Sequence, residues 1–94
     1  MPSVRVMEPY RVPFAFDRSR APRYRLLNRS AETVRGVTAT LVGPAVMPAP
    51  LPRSLAPGQA LDLDIRGEDL ARATTLVIRW LRPNGEEYLW RVAF

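Results

Sequence analysis

The sequence predicts an all-β domain built as an antiparallel β-sandwich of about seven strands. Ten prolines are spread along its 94 residues, which excludes long helices because a proline inside a helix costs about 3 kcal/mol. Between the prolines, apolar residues recur at every second position, the period of a half-buried strand. The length and the apolar fraction of 47% are sufficient for one core, so residues 1–94 form a single domain.

The first quarter of the chain is divided into short extended pieces. Residues 4–7 are a candidate short strand, although residues 1–9 as a whole are also a candidate for a loose N-terminal arm. Over residues 12–16, the side chains of Val, Phe and Phe alternate with Pro13 and Ala15. A proline cannot donate a hydrogen bond to a neighbouring strand, so this segment is predicted to be an edge strand or a bulged one.

Three more strands follow from the same alternation, over residues 23–26, 37–41 and 61–65. In the last of these, leucines and an isoleucine alternate with two aspartates, which is the most regular half-buried pattern in the chain. The four prolines within residues 44–52 indicate a rigid, extended connection. The only segment compatible with a helix is near residues 68–73, where we expect one or two helical turns.

The stretch Arg82-Pro83-Asn84-Gly85-Glu86 predicts a hairpin with a three-residue loop. Proline suits the first turn position, and glycine suits the left-handed position that closes such a loop. If residues 83–85 are the loop, the numbers of paired residues sum to 168. One face of the hairpin is then entirely apolar or aromatic, because it combines the pairs Leu76–Val92, Ile78–Trp90 and Trp80–Tyr88.

This aromatic face is predicted to point into the sandwich. The alternative, an exposed aromatic binding stripe, leaves the hairpin without an inner face, and a lone hairpin is marginally stable in water. The predicted core contains Phe14, Phe16, Leu26, Val37, Leu41, Leu61, Leu63, Ile65, Leu76, Ile78, Trp80, Tyr88, Trp90 and Val92.

The opposite face of the hairpin is the best candidate for a protein interface. It mixes leucine and valine with arginine, a composition that is typical of protein–protein contacts. The expected partner is another protein, a second copy of the chain included. The alternative is that these are ordinary surface leucines, which need no explanation. The candidate interface consists of Val77, Arg79, Leu81, Leu89 and Arg91.

The basic residues suggest nucleic acid as a second candidate partner. Residues 1–29 carry seven arginines against two acids, a net charge of +5, whereas residues 30–94 carry seven of each. In this hypothesis arginines neutralise phosphates and Tyr24 stacks on a base. The favoured interpretation is an outer strand face, with the arginine usage reflecting the codon bias of a GC-rich bacterial genome. The candidate patch consists of Arg18, Arg20, Arg23, Arg25 and Arg29.

The composition argues against catalysis, cofactors and metals. Cysteine, histidine and lysine are all absent, which removes the commonest nucleophiles, general bases and metal ligands. Glu86 and Glu87 are neighbours in a predicted strand and therefore point to opposite faces. Four acidic residues suggest calcium as an alternative, but aspartate alternating with leucine is usually a solvated strand face. These four are Asp62, Asp64, Glu68 and Asp69.

The location predicted from the sequence is the cytoplasm. The first residues contain no apolar run of signal-peptide length, and no stretch approaches the ~20 apolar residues of a membrane span. The absence of cysteine points the same way, because small secreted domains often depend on disulfides. We therefore expect no membrane partner.

Two short motifs resemble bacterial immunoglobulin-like modules of the CARDB kind, the cell-adhesion-related domain found in bacteria. The strand end YRLLNRS and the turn SLAPGQALDLDI follow each other in the order that those modules show, before a closing hairpin. The resemblance covers about residues 10–94 and implies an immunoglobulin-like sandwich with a non-catalytic binding or spacer role. The matching residues are Leu26, Asn28 and Ser30 in the first motif and Leu55, Pro57, Gly58, Gln59 and Leu63 in the second.

Overall fold

A computed structural model describes residues 10–94 as seven strands and one short helix. Every strand pair is antiparallel, and the strands form two sheets, one with the order β1-β2-β5 and one with the order β4-β3-β6-β7. The predicted all-β fold of about seven strands is confirmed. The elements are β1 (Phe14–Arg20), β2 (Arg23–Asn28), β3 (Val34–Val42), β4 (Arg53–Leu55), β5 (Ala60–Asp64), α1 (Leu70–Ala73), β6 (Thr75–Leu81) and β7 (Glu87–Ala93).

The observed strands include one that the sequence analysis does not predict, β4. The candidate strand at residues 4–7 and the candidate arm at residues 1–9 lie outside the described residues. The strand β4, by contrast, was not predicted, since its three residues are too few to show an alternation. It pairs with β3 through Leu55, which is fully buried opposite Val34.

The first strand is an edge strand, as the proline indicated, but it begins later than predicted. Val12 is exposed and precedes β1, whose first residue is Phe14. Pro13 has no N–H to donate, and its carbonyl accepts a hydrogen bond from the Arg29 N–H at 2.8 Å. The regular ladder therefore begins one residue after the proline.

The core lies between the inner faces of the two sheets. Ten of the fourteen predicted core residues are buried, and the other four are partly buried against the same cluster. Those four are Phe16, Leu41, Tyr88 and Trp90. Three of them lie on β1 and β7, each of which pairs with a single strand among the residues that the structure describes. Four further buried apolar residues complete the core: Tyr24, Val34, Ala39 and Leu55.

The hairpin of β6 and β7 has the predicted register without any irregularity. Trp80 pairs with Tyr88, and every other pair also sums to 168. The loop closes through the Arg82 N–H to the Glu86 carbonyl and the Gly85 N–H to the Arg82 carbonyl, both at 2.9 Å. Gly85 has φ 85°, the left-handed conformation that the loop requires.

The helix α1 is a single turn within the predicted segment. The side chain of Asp69 makes no cap hydrogen bond, and this residue has a left-handed φ of 57°. The first turn of α1 therefore begins without a side-chain cap. No helix within residues 10–94 is long and apolar enough to cross a membrane.

A buried asparagine joins the two sheets at one end of the sandwich. The Asn28 Nδ2 donates to the carbonyl oxygens of Glu32 and Leu55, both at 2.9 Å. Its Oδ1 accepts from the backbone N–H and the hydroxyl of Ser30 at 3.0 and 2.7 Å. The backbone N–H of Gly58 donates to the Asn28 carbonyl at 2.8 Å, so the two motifs that resemble CARDB modules contact each other.

A second cluster stacks Tyr10 against the aromatic end of the hairpin. The Trp80 Nε1 donates to the Tyr10 hydroxyl at 3.0 Å, and the Tyr10 and Tyr88 ring centroids are 4.5 Å apart. The guanidinium of Arg82 lies 4.1 Å from the Tyr10 ring centroid and forms an ion pair with Glu32 at 2.9 Å. Burial raises the pKa of the Tyr10 hydroxyl, and the hydrogen bond to Glu32 raises the pKa of Arg82.

Candidate interaction surface

The structure places all five residues of the candidate interface on the outer face of β6 and β7. Leu89 is 51% exposed and Leu81 is 37% exposed, while Arg79 and Arg91 are exposed and Val77 is half-buried. The alternation of the two strands produces this arrangement, because neighbouring residues point to opposite faces. Leu89 therefore lies near the middle of the face opposite Arg79, and Leu81 lies at the loop end opposite Glu87.

The register across the hairpin brings a charge next to each apolar residue. Arg79 lies opposite Leu89, and Leu81 lies opposite Glu87. Arg79 and Glu87 form a diagonal ion pair at 3.3 Å in which more than half of each side chain is exposed, at 56% and 57%. Water screens such a pair, so it contributes little stability and leaves both groups available to a partner.

The neighbouring strand β3 contributes residues that the sequence had not assigned to the interface. The register of β3 against β6 shifts between Arg35 and Thr38, and Gly36 lies within this bulge with φ 55°. Because Gly36 has no side chain, an open depression of about 280 Å³ forms beside Leu81. Its shallow, open shape suits a flat protein contact better than an enclosed small molecule.

Further along β3, the face continues through Thr40 and Val42, both of which are exposed. Val42 pairs with Thr75 at the far end of β6. These residues could not be added to the interface from the sequence, because the pairing of β3 with β6 joins segments more than 30 residues apart. Only the hairpin part of the surface follows from local spacing.

The structure does not bring the five arginines of the candidate nucleic-acid patch together. Arg18 lies at the margin of the core, with its guanidinium 5.0 Å from the Phe16 ring centroid and hydrogen-bonded to the Ala93 carbonyl. Arg29 lies beyond the other end of β2, about 20 Å from Arg23 at the usual rise per residue. Neither residue can share a compact anion site with the other three.

The remaining three arginines lie among carboxylates on the outer face of the first sheet. Arg25 forms an ion pair with Asp62 at 2.9 Å, and this hydrogen bond raises the pKa of Arg25. Asp17 lies opposite Arg25 in the ladder, and hydrogen bonds from Ser19 lower the pKa of its carboxyl. A phosphate approaching this face would therefore meet the carboxylates of Asp17 and Asp62 beside the arginines.

The other end of the same face combines a like-charge pair with opposite charges. Arg20 lies opposite Arg23, and Arg23 lies opposite Asp64 in the next strand. Asp64 in turn forms an ion pair with Arg66 at 2.8 Å. Two aspartates of the calcium alternative, Asp62 and Asp64, are therefore engaged by arginine, and within residues 10–94 no three potential ligands converge on a metal site.

Comparison with known proteins identifies no relative of the chain. No family model matches the chain, and neither the curated proteins nor the solved structures contain a significant match. The resemblance to CARDB modules therefore stays a prediction. What the molecule does has to be argued from its surface.

Proposed function

We propose that the chain is a non-enzymatic protein-interaction or structural module, an immunoglobulin-like sandwich that binds through the outer face of β6 and β7. The observation that supports this most directly is the exposure of Leu89 and Leu81 within a regular sheet face. Leucines in this position lose their contact with water when a partner covers them, and the arginines beside them supply hydrogen bonds at the rim. Arginine is enriched among the residues that dominate binding energies.

The side chains near this face also argue for binding instead of catalysis. Glu86 accepts a hydrogen bond from the Tyr88 hydroxyl at 2.7 Å, while Glu87 faces Arg79 on the other side of the strand. The two carboxylates thus have separate partners and do not form an acid–base pair. The chain offers no histidine, cysteine or lysine to replace them.

The second candidate is a nucleic-acid-associated protein, and the observation that favours it is the net charge of +5. Such a charge attracts phosphate backbones at low ionic strength. The dispersal of the arginines and their pairing with aspartates favour the interaction module instead.

Substituting Leu81 with aspartate is expected to weaken binding to a protein partner at least about 10-fold, because a buried unpaired charge would replace an apolar contact. The measurement is quantitative mass spectrometry of proteins captured from the source organism by the wild type and by Leu81→Asp. Leu51→Asp is the matched control, since Leu51 is 84% exposed and lies outside the sheet face. A partner whose capture is unaffected by Leu81→Asp would place the interface elsewhere.

A salt titration separates the two candidate functions. The interaction module is expected to bind mixed DNA or RNA only weakly at low salt, with affinity falling steeply by about 200 mM salt. Fluorescence anisotropy with labelled oligonucleotides measures this, and Arg20→Gln with Arg23→Gln tests two exposed arginines of the candidate patch. Submicromolar binding that survives about 150 mM salt and is lost in the double variant would favour the nucleic-acid function.

A further inference from the structure

The part of the chain that the structure describes leaves one edge of the strand β7 unpaired. This strand pairs only with β6 among the strands within residues 10–94. Arg82 and Glu86 form a hydrogen-bonded pair, and hydrogen-bonded and non-hydrogen-bonded pairs alternate along an antiparallel ladder. The N–H and C=O groups of Glu87, Leu89 and Arg91 therefore point away from β6, toward the edge.

The hydrogen bond of Ala93 supports this assignment independently. Ala93 has the same parity as Leu89 and Arg91, and its carbonyl accepts a hydrogen bond from the guanidinium of Arg18. This hydrogen bond uses the carbonyl group at the end of the edge. The backbone groups of the stretch from Glu87 to Arg91 remain for pairing with another strand. Within residues 10–94, no side-chain hydrogen bond reaches the backbone groups of that stretch from the edge side.

Among the edges of the two sheets, β7 is the most suitable for strand addition. Proteins usually protect an edge by making it short or by breaking it with a bulge. β4 has three residues and β5 has five, and the register of β1 shifts between Asp17 and Arg20. β7 has seven residues in an unbroken register with β6.

The sequence of this edge is complementary to itself. We propose that two copies of the chain pair antiparallel through β7 about a two-fold axis at Leu89, a partner assignment that rests on the proposed interaction function. Leu89 then faces Leu89 of the second copy, and Glu87 faces Arg91 of the second copy on both sides of the axis. On the inner face, Tyr88 lies opposite Trp90 of the second copy, and both side chains are only partly buried in the single chain.

Other symmetric registers match the charges less well. Moving the axis to Tyr88 places Glu87 opposite Leu89, and moving it one residue further places Glu87 opposite Glu87 of the second copy. Moving the axis in the other direction, past Trp90 to Arg91, places the two Arg91 side chains opposite each other. Like charges directly opposite each other in a ladder are destabilising, so the register centred on Leu89 is selected.

Glu87 and Arg91, the charged residues of this pairing, can both form ion pairs with a second copy. Arg91 is exposed and belongs to none of the ion pairs formed within residues 10–94. Glu87 contacts Arg79 at 3.3 Å across a solvent-exposed pair and can accept a second guanidinium. A single edge strand forms a small interface, so the dimer is expected to be weak and concentration-dependent.

A charge-swap experiment tests both the dimer and its register. Sedimentation velocity from about 10 µM to about 1 mM should show the wild type associating, since a weak interface of this kind dissociates in the micromolar range. Glu87→Arg alone and Arg91→Glu alone should each weaken association at least about 10-fold, because each creates two like-charge pairs. Mixing the two single variants should restore association, since both contacts then join opposite charges.

A cross-linking experiment locates the axis directly, and the absence of native cysteine makes it simple. At a hydrogen-bonded pair on the axis, the two Cα atoms are about 5.5 Å apart, a separation that a disulfide spans. Leu89→Cys should therefore form a covalent dimer under mild oxidation. Leu81→Cys is the control, because two β6 strands would lie about 14 Å apart across the paired edges.

The outcomes distinguish the dimer from the proposed function. A monomer at every concentration, or single variants that do not recover association on mixing, would overturn the edge dimer. A monomer that still captures a partner in a Leu81-dependent way would overturn the dimer and leave the interaction function in place. Two results together would support the dimer. Leu81→Asp should associate as strongly as the wild type, and Leu89→Cys should form a cross-linked dimer. The melting temperature of each variant shows that it is folded.

Discussion

Replacing Trp80 with alanine is expected to lower the free energy of unfolding by about 3–5 kcal/mol, the usual cost of truncating a large buried aromatic side chain. Trp80 is 2% exposed and lies on β6, a central strand of the larger sheet. Its ring lies edge-on to Phe14 at 5.0 Å and is stacked with Tyr88 at 6.0 Å. Its Nε1 also donates to the Tyr10 hydroxyl, which would be left without this partner.

Urea unfolding followed by far-UV circular dichroism measures this loss, and Trp90→Ala is the matched control. Trp90 points to the same interior from the edge strand β7 and is only partly buried, so its truncation should cost clearly less. Trp80→Phe, which keeps most of the apolar surface, provides a folded variant if Trp80→Ala does not fold. Equal losses at positions 80 and 90, or an unchanged stability in Trp80→Ala, would contradict the place assigned to Trp80 in the core.

The parts of the fold that were predicted are those that depend on local spacing. The pairing of Trp80 with Tyr88 follows from the turn residues and a period of two, so it needs no knowledge of distant strands. β4 could not be predicted in this way, because three residues do not define a period. Its burial depends on Leu55 meeting Val34, a contact that only the folded chain creates.

The same difference between local spacing and contacts of distant segments applies to the surfaces. Leu81 and Leu89 were assigned to one outer face from the hairpin alone, and the structure places them there. The arginine segment looked continuous because its residues are close in sequence. Its dispersal depends on the placement of Arg18 next to Phe16 and Ala93 and on the aspartates of β5, which belong to a different part of the chain.

Replacing Asn28 with alanine is expected to cost about 2–4 kcal/mol, because the buried Leu55 carbonyl and the partly buried Glu32 carbonyl each lose a donor, and an unsatisfied buried group costs about 1–3 kcal/mol. Asn28 is fully buried, and its Nδ2 serves the carbonyl oxygens of Glu32 and Leu55. Glu32 lies just before β3, and Leu55 is the last residue of β4. The Asn28 amide therefore joins the segment before β3 and the end of β4 to the end of β2, and the Ser30 hydroxyl adds a bridge between the Asn28 Oδ1 and the Glu32 carbonyl.

Two further variants separate the contribution of the amide donor from other effects. Asn28→Asp keeps the volume and the acceptor for Ser30 but replaces the donor with an oxygen that faces two carbonyls, so it should destabilise at least as much as alanine. Asn84→Ala removes an exposed turn hydrogen bond to the Glu86 N–H, which water can replace, and should change stability by less than about 0.5 kcal/mol. Equal stability of the Asn28 and Asn84 variants in urea unfolding would mean that the Asn28 amide contributes little to holding the sheets together at this end. A large loss confined to position 28 would show that one amide fixes the relative position of the sheets.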